Sequence, residues 1–310
     1  MALIITACTN RKRYAPAESL KAENLPRGIL EQTVSRWIEC TQAAGARYFA
    51  KDLYIGRAIK DSLTAAALFG SEAYIMSAGM GLVKPNDKVL SYNLTVQPGS
   101  SNSIQSKIVE PISPNEWWDE LSHQFETPTP IAKLVNENPQ EVILIACAEI
   151  YAQLIDKDLK TLGHDDLKRV RIFGPQHPEN LSEGMRGTIM PYDYRFDGPD
   201  GPLRGTRTDF GQRALLHFSQ KIWPKIPSIG ANQDHQNEIK RLMTNMRLPE
   251  KVSRISLSDN DIIELVPNMW ERANGKSSLM LRVLRDQELV ACEQGRFASL
   301  FKVARERFNL

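Results

Sequence analysis

Polar and cationic side chains suited to phosphate and base recognition stand directly after the first apolar run of the sequence. The run occupies residues 3–7 and reads LIITA. The side chains that follow it are Cys8, Asn10, Arg11, Lys12 and Arg13. Lysine and arginine hold phosphate oxygens, and an asparagine amide can read the edge of a base. A solvated basic loop without a ligand is the other interpretation, but the position after a buried strand favours a ligand.

A second polar group surrounds a glycine-rich turn. Residues 77–83 read SAGMGLV, and the two glycines allow a ligand to approach the backbone closely. The turn is not a Walker loop, because no GK[ST] follows, and it is not GxGxxG. A polar and aromatic stretch, SYNLT, follows at residues 91–95. We predict a pocket formed by these residues: Ser77, Gly79, Met80, Tyr92 and Asn93.

Two titratable side chains follow later apolar runs. Glu149 stands where a helix begins after residues 142–146, as either a partner of the helix dipole or a functional carboxylate. His177 follows residues 170–173 in the segment PQHP, and of the five histidines it is the one after a predicted strand. An exposed loop histidine without a role is the alternative for His177.

The segment of residues 186–213 is dense in arginine, aspartate, glycine and aromatic side chains. One interpretation is a hairpin with paired surface charges, for which DGPDGP supplies the turn chemistry. We favour a loop that binds a nucleic-acid backbone, in which arginines contact phosphates and aromatic rings stack on bases. The arginines are Arg195, Arg204 and Arg207, and the rings are those of Tyr192, Tyr194 and Phe196.

The order of apolar runs and helical stretches predicts the scaffold that positions these groups. Helical periodicity separates four short runs rich in β-branched residues. Because strands and helices alternate, and the strands are apolar throughout, we predict an α/β fold with a four-stranded parallel sheet and helices on both faces. Ligands of open parallel sheets bind beyond the carboxyl ends of the strands. The predicted strands are residues 3–7, 73–77, 142–146 and 170–173, and the helices are residues 28–44, 56–69 and 149–162.

The pattern changes after a polar stretch at residues 226–236. Only helical periodicity follows, including a Ser-x-x-Asp cap at Ser258. We therefore predict an α/β domain at residues 1–225 and a small all-helical domain at residues 226–310. The helical domain is either a DNA-binding helix-turn-helix or a bundle that packs on the core or on another subunit.

Composition limits the class of protein. The 39 Lys and Arg residues nearly balance the 37 Asp and Glu, so a nucleic-acid surface has to be a local patch. The four cysteines form no CxxC pair, so we predict no zinc site, disulfide framework or other cofactor. No segment approaches the roughly 20 apolar residues that span a membrane, and we expect a cytoplasmic protein.

Four segments together resemble a known family. Residues 8–12 fit the pattern C-[ST]-x-x-K, residues 52–57 read DLYIGR, and the segments SAGMGLV and YNLT follow. The combination resembles a poorly characterised branch of the uracil-DNA-glycosylase-like superfamily. Related domains occur beside tRNA-guanine transglycosylases and archaeosine synthases. The likeness covers residues 1–100 well and residues 140–220 in outline, and it leaves the predicted C-terminal domain outside.

The resemblance implies both a fold and an activity. The fold is a four-stranded parallel sheet with helices on both sides. The activity is excision of bulky modified bases, such as glucosylated hydroxymethylcytosine, from phage DNA in antiviral defence. The chain departs from true uracil-DNA glycosylases because the water-activating GQDPYH stretch is absent after residues 3–7. Residues 177–178 match the HPSP loop of the superfamily only loosely.

Breaking an N-glycosidic bond develops positive charge on the sugar and negative charge on the departing base, so it requires an anion and a donor. The base must also be flipped into a pocket. We assign Glu149 or Asp193 as the carboxylate and His177 as the donor. Substrate contacts are assigned to Cys8, Asn10, Lys12, Ser77, Gly79, Met80, Tyr92 and Asn93, and DNA contacts to Arg11, Arg13, Arg195, Arg204 and Arg207.

Two other functions remain open. A nucleotide or nucleoside hydrolase, or a base transferase, would use the same crevice without duplex DNA. A non-catalytic nucleotide-sensing or DNA-binding module in a defence operon would bind without releasing a base. The expected partner is double-stranded DNA carrying modified bases, with no obligate protein partner evident.

Overall fold

The computed structural model describes residues 2–250 and 252–310. The chain forms two compact units, of which the first ends at Pro249 and the second begins at Glu250. The helices of the first unit are α1 (Leu30–Ala43), α2 (Ala50–Leu53), α3 (Arg57–Phe69), α4 (Pro114–Gln124), α5 (Pro130–Glu137), α6 (Glu149–Leu159), α7 (His164–Leu167), α8 (Glu183–Arg186), α9 (Phe210–His217) and α10 (Asn232–Thr244). Its strands are β1 (Ala2–Ala7), β2 (Arg47–Phe49), β3 (Ala73–Ser77), β4 (Gly81–Val83), β5 (Lys88–Leu90), β6 (Val142–Ala146) and β7 (Val170–Phe173).

A mixed five-stranded sheet forms the centre of the first unit, in the order β4-β3-β1-β6-β7. Strand β1 pairs in parallel with both β3 and β6, and β6 pairs in parallel with β7. The carboxyl ends of these four strands therefore lie on one edge of the sheet. The four strands predicted from the sequence are all present, and the α/β class is confirmed.

The sheet differs from the prediction by one additional strand. Strand β4 pairs antiparallel with β3, with Ser77 opposite Gly81. The segment SAGMG is therefore the turn of a hairpin, and the sheet is mixed rather than purely parallel. Strands β2 and β5 form a separate antiparallel pair.

Both faces of the sheet are covered because both faces of its strands are apolar. Leu3 and Ile5 of β1 pack into one core, together with residues of α1, α4 and α6. Ala2 and Ile4 of β1 pack into a second core, together with residues of α3 and α9. Successive side chains of a strand point to opposite faces, so one continuous apolar run supplies both cores.

Helix α10 extends the first unit beyond residue 225, the predicted end of the α/β domain. Ile239 and Met243 of α10 are fully buried in the second core. His235 of the same helix accepts a hydrogen bond of 3.2 Å from Arg171 Nε on β7. These contacts explain why the first unit continues to Pro249.

The second unit is a small helical domain with one pair of short strands. Its helices are α11 (Asp259–Met269), α12 (Ser277–Asp286) and α13 (Gln294–Phe308), and its strands are β8 (Ile255–Ser256) and β9 (Val290–Ala291). The predicted cap is confirmed, because Ser258 Oγ accepts a hydrogen bond of 3.2 Å from the backbone of Asp261. The parallel pair β8–β9 corrects the prediction of an all-helical domain. Within the described residues, no helix is long and apolar enough to cross a membrane.

Candidate active site

A connected set of buried hydroxyl groups and one thiol lies at the carboxyl edge of the sheet. Cys8 Sγ lies 3.1 Å from Tyr151 Oη and 3.5 Å from Tyr92 Oη. Ser77 Oγ lies 2.7 Å from Tyr92 Oη and 3.0 Å from Tyr54 Oη. These five residues, called the hydroxyl cluster below, form one continuous hydrogen-bonded chain.

Five different parts of the fold supply the hydroxyl cluster, and one of them is the segment after β5, which carries Tyr92. Cys8 directly follows β1, and its backbone N–H donates to the carbonyl of Met76 at 2.8 Å. Ser77 ends β3, Tyr151 lies in the first turn of α6, and Tyr54 follows α2. The cluster therefore forms where β1 and β3 end beside the start of α6. This is the position that the rule for open parallel sheets predicts.

Burial fixes the ionisation state of the three tyrosines. Loss of solvation raises the pKa of Tyr54, Tyr92 and Tyr151, and the nearby Cys8 raises each of them further. All three phenols are therefore protonated at neutral pH, and each has one hydrogen to donate. The three phenols of the hydroxyl cluster are therefore hydrogen-bond donors rather than bases.

Lys12 lies over this cluster. Its Nζ atom is 4.0 Å from the centroid of the Tyr92 ring and 5.7 Å from that of Tyr54. Burial lowers the pKa of Lys12, while the neighbouring Cys8 partly opposes this change. Backbone hydrogen bonds hold the segment in place: Arg13 N–H donates to Leu53, and Ile55 N–H donates to Arg11, both at 3.0 Å.

Tryptophan side chains hold the hairpin turn against the hydroxyl cluster. Trp37 Nε1 donates to the carbonyl of Gly79 at 2.8 Å, and Trp117 Nε1 donates to the carbonyl of Ala78 at 2.8 Å. The N–H of Met80 donates to Ser77 Oγ at 3.1 Å. A Cβ atom on Gly79 would stand 3.0 Å from both the Trp37 and the Tyr92 rings. Gly79 is therefore required by close packing.

We expect Gly79→Ala to lower the free energy of unfolding by about 1–3 kcal/mol, because the added methyl group pushes against two buried rings. Urea denaturation measures this change. Gly45→Ala is the matched control, since a Cβ atom there would meet nothing within 4 Å. Equal stability of the two variants would contradict the described packing.

Glu149 begins α6 and is half-buried at the same edge. Its Oε1 atom accepts a hydrogen bond from Asn180 Nδ2, which lies in the loop after β7. This hydrogen bond joins the ends of β6 and β7. Tyr151, which contacts Cys8, lies in the same first turn of α6, so Glu149 and the hydroxyl cluster share the carboxyl edge of the sheet.

His177 and Asp193 are engaged with other charged side chains. His177 is exposed, and its Nδ1 atom lies 3.1 Å from Glu179 Oε1. The guanidinium of Arg195 donates hydrogen bonds to the Asp193 carboxylate, of which the shortest joins Nη2 to Oδ2 at 2.6 Å. The backbone N–H of Arg195 donates to the same carboxylate at 2.9 Å. In the described residues, no hydrogen bond joins Asp193 to the hydroxyl cluster.

A cleft of about 910 Å³ lies at the start of α3, close to Tyr54. The charged side chains that line it are Lys51, Arg57, Lys60 and Asp61. Arg57 Nε is 3.2 Å from Asp61 Oδ2, and Arg57 Nη1 donates to the carbonyl of Arg204. Arg11 Cδ lies 3.8 Å from the position of a Cβ atom on Gly56. The structure therefore brings Arg11 and the backbone of Arg204 together at this cleft, called the basic cleft below.

A fully buried arginine anchors the loop that carries Arg204 and Arg207. Arg213 contacts Asp197 Oδ1 and Asp209 Oδ1, each at 2.7 Å. It also donates to the carbonyls of Leu203 at 2.6 Å and Thr206 at 2.8 Å. The side chain of Arg207 is exposed and lies over the ring of Tyr194, 4.9 Å from the centroid.

Two of the three rings predicted to stack on bases are instead part of the core. Phe196 is completely buried, and Tyr192 is 2% exposed. A hydrogen bond of 2.8 Å joins Tyr192 Oη to His217 Nδ1. Tyr194 is partly exposed, so of these three rings it alone fits the predicted stacking role.

The buried position of His217 makes stability depend on pH. Burial lowers the pKa of His217 to about 4, with smaller contributions from Lys221 and Lys225. An unfolded histidine has a pKa of about 6.5, so the unfolded chain binds the proton first as pH falls. We expect this histidine to remove about 2 kcal/mol of stability between pH 7 and pH 4.5.

Urea denaturation at the two pH values measures this effect. His217→Gln should lose less stability on acidification than the parent protein, by the amount given above. Equal losses in the two proteins would show that His217 is not responsible.

Asn10 and Asn93 do not join the hydroxyl cluster. Both side chains are exposed. The backbone of Asn93 forms an isolated parallel β-bridge with Lys21, and the Asn93 N–H donates to the carbonyl of Leu20 at 2.8 Å. Tyr92, the preceding residue, points inward, so Asn93 points outward. Arg13 is also exposed.

The sequence did not single out Tyr54 and Tyr151 as site residues. Tyr54 lies within DLYIGR, the segment that contributed to the family resemblance. Tyr151 is the third residue of α6, where a helix that follows a strand faces the edge of the sheet. Tyr151 and Tyr54 are far along the chain from their partners Cys8 and Ser77, so the sequence alone does not show that they are in contact.

Comparison with family models, with curated proteins and with solved structures finds no match to this chain. The function proposed below rests on the geometry of the carboxyl edge and on the resemblance in the sequence.

Proposed function

We propose that the protein is a DNA glycosylase that hydrolyses the N-glycosidic bond of bulky modified bases and leaves abasic sites. One observation carries this proposal. The half-buried carboxylate of Glu149 lies at the same sheet edge as the protonated hydroxyl cluster and Lys12. Such an edge offers an anion for the sugar and hydrogen-bond donors for the base.

Glu149 is the carboxylate that stabilises the developing sugar cation or orients the attacking water. Glu149 is the first residue of α6. The hydrogen bond from Asn180 holds the carboxylate in one orientation without neutralising its charge. Asp193 is a weaker candidate, because Arg195 already neutralises it.

Donors to the departing base come from two places. The protonated phenols of the hydroxyl cluster can stabilise negative charge through hydrogen bonds. His177 stands on the loop that Asn180 ties to Glu149, and its imidazole is exposed. We assign His177 as the general acid that protonates the base.

The basic cleft is the proposed path of the DNA backbone. Its cationic side chains and the adjacent Arg11 lie close to Tyr54, which belongs to the hydroxyl cluster. Phosphate contacts position a duplex without reading its sequence, whereas the target base is flipped out of the stack toward the hydroxyl cluster. Arg204 and Arg207 extend the contact surface on the loop anchored by Arg213.

The modified base is the part of the proposal taken from the family resemblance. Glucosylated hydroxymethylcytosine is therefore the first substrate to test. The assay incubates the protein with phage DNA that carries this base and with plain DNA, followed by alkali and gel electrophoresis. Alkali-labile cuts in the modified DNA support the proposal.

The same assay separates the alternatives. Release of base from free nucleotides, without cuts in DNA, would identify a nucleotide hydrolase or base transferase instead. Tight DNA binding without base release would identify a non-catalytic module. Either result would contradict the proposed glycosylase.

A further inference from the structure

The amine of Lys12 is held in an unusual environment for a lysine. Two aromatic rings lie beneath it, with the Tyr92 centroid 4.0 Å from Nζ. In the part of the chain that the structure describes, no carboxylate lies within ion-pairing distance of Lys12. Lys21 and Lys84 differ from it, because hydrogen bonds to Glu18 and Glu72 raise the pKa of these lysines.

The backbone places this amine at the carboxyl edge. Lys12 pairs with Tyr54 in an isolated antiparallel bridge, and the flanking hydrogen bonds from Arg13 and Ile55 fix the segment on both sides. The side chain is half-buried, so its amine is desolvated without being sealed in the core. A desolvated lysine amine reacts readily with carbonyl groups.

We propose that Lys12 is a nucleophile that forms an imine with the aldehyde carbon C1′ of an abasic deoxyribose, so that the protein also cleaves the strand at that site. This inference rests on the proposed function, because base excision supplies the abasic sugar. It adds a second reaction, a lyase step, at the same edge of the sheet.

The reaction balances without an oxidant or a metal ion. The Lys12 nitrogen attacks C1′ of the ring-opened sugar, and the resulting carbinolamine loses water to form the imine. Water then takes a proton from C2′, and the electron pair left on C2′ forms the new double bond as the C3′–O bond breaks. The phosphate departs with the electrons of that bond. Hydrolysis of the imine returns the free amine and releases the unsaturated aldehyde.

A static role for Lys12 is the competing explanation. A cation over an aromatic ring can stabilise a fold without chemistry. Arginine can keep that charge over the ring, but its guanidinium does not form the imine. Lys12→Arg therefore separates the two roles, provided that its thermal unfolding matches that of the parent protein.

The test uses an oligonucleotide duplex with one abasic site made beforehand by removal of a uracil. The full-length protein is mixed with this DNA and sodium borohydride, which reduces an imine to a stable covalent link. We expect a trapped protein–DNA adduct that peptide mapping places on Lys12. Lys12→Arg should give no adduct. Lys88→Ala, which removes an exposed lysine near the Phe49 ring, should still give the adduct.

Several results would overturn the inference. These are no adduct with the parent protein, an adduct on another amine, or full trapping by Lys12→Arg. Because the abasic site is supplied, none of them depends on base excision. An adduct on Lys12 without base release from modified DNA would instead support the lyase step and contradict the glycosylase.

Discussion

Replacing Arg213 with methionine is expected to lower the free energy of unfolding by about 3–5 kcal/mol, because it removes one partner of a buried charge network. The Arg213 side chain is completely buried between Asp197 and Asp209, and it also satisfies two backbone carbonyls. Methionine fills much of the space but leaves both carboxylates without their cation. Urea denaturation at neutral pH measures the loss.

Arg207→Met is the matched control for this prediction. Arg207 is an exposed arginine of the same loop, and surface substitutions usually change stability by no more than about 0.5 kcal/mol. A loss below about 1 kcal/mol for Arg213→Met would contradict the described network. Limited proteolysis should also cut the loop at residues 198–207 faster in Arg213→Met, since this arginine anchors it.

Glu149→Gln is expected to slow abasic-site formation in modified DNA by about 100-fold or more, because the amide cannot stabilise the sugar cation or accept a proton from water. The variant keeps the size of the side chain and an oxygen that accepts from Asn180. The rate of alkali-labile cutting under single-turnover conditions measures the change.

The control distinguishes catalysis from a helix-dipole effect. A carboxylate at a helix N-terminus contributes about 0.3–1 kcal/mol to stability, so Glu149→Gln should remain folded. Glu137→Gln alters an exposed carboxylate at the last residue of α5 and should keep full activity. If Glu149→Gln keeps full activity and loses only a little stability, Glu149 has no catalytic role and interacts only with the helix dipole.

The parallel strands were predictable because burial on both faces makes them apolar throughout. The residues at their carboxyl ends were predictable for the same reason, since four parallel strands share one edge. Cys8, Lys12, Ser77 and Tyr92 accordingly meet there, as expected from the sequence. Strand β4 escaped prediction because a three-residue strand after a tight turn has no detectable periodicity.

Contacts between distant segments were not predictable. The rings of Tyr192 and Phe196 lie in a segment rich in arginine and glycine, which suggested an exposed loop. Both rings nevertheless belong to the second core, and Arg213 holds the adjoining loop against it through Asp197. Likewise, Arg171 of β7 meets His235 of α10, and the polar sequence of α10 gave no sign that this helix belongs to the first unit.

Mass spectrometry of the bases released from DNA tests the central claim most directly. The parent protein is incubated with DNA containing glucosylated hydroxymethylcytosine and, separately, with unmodified DNA. The proposed function predicts release of the intact glucosylated base from the first DNA and of no base from the second. Failure to release a base from either DNA, by a protein that is folded and binds the duplex, would contradict it.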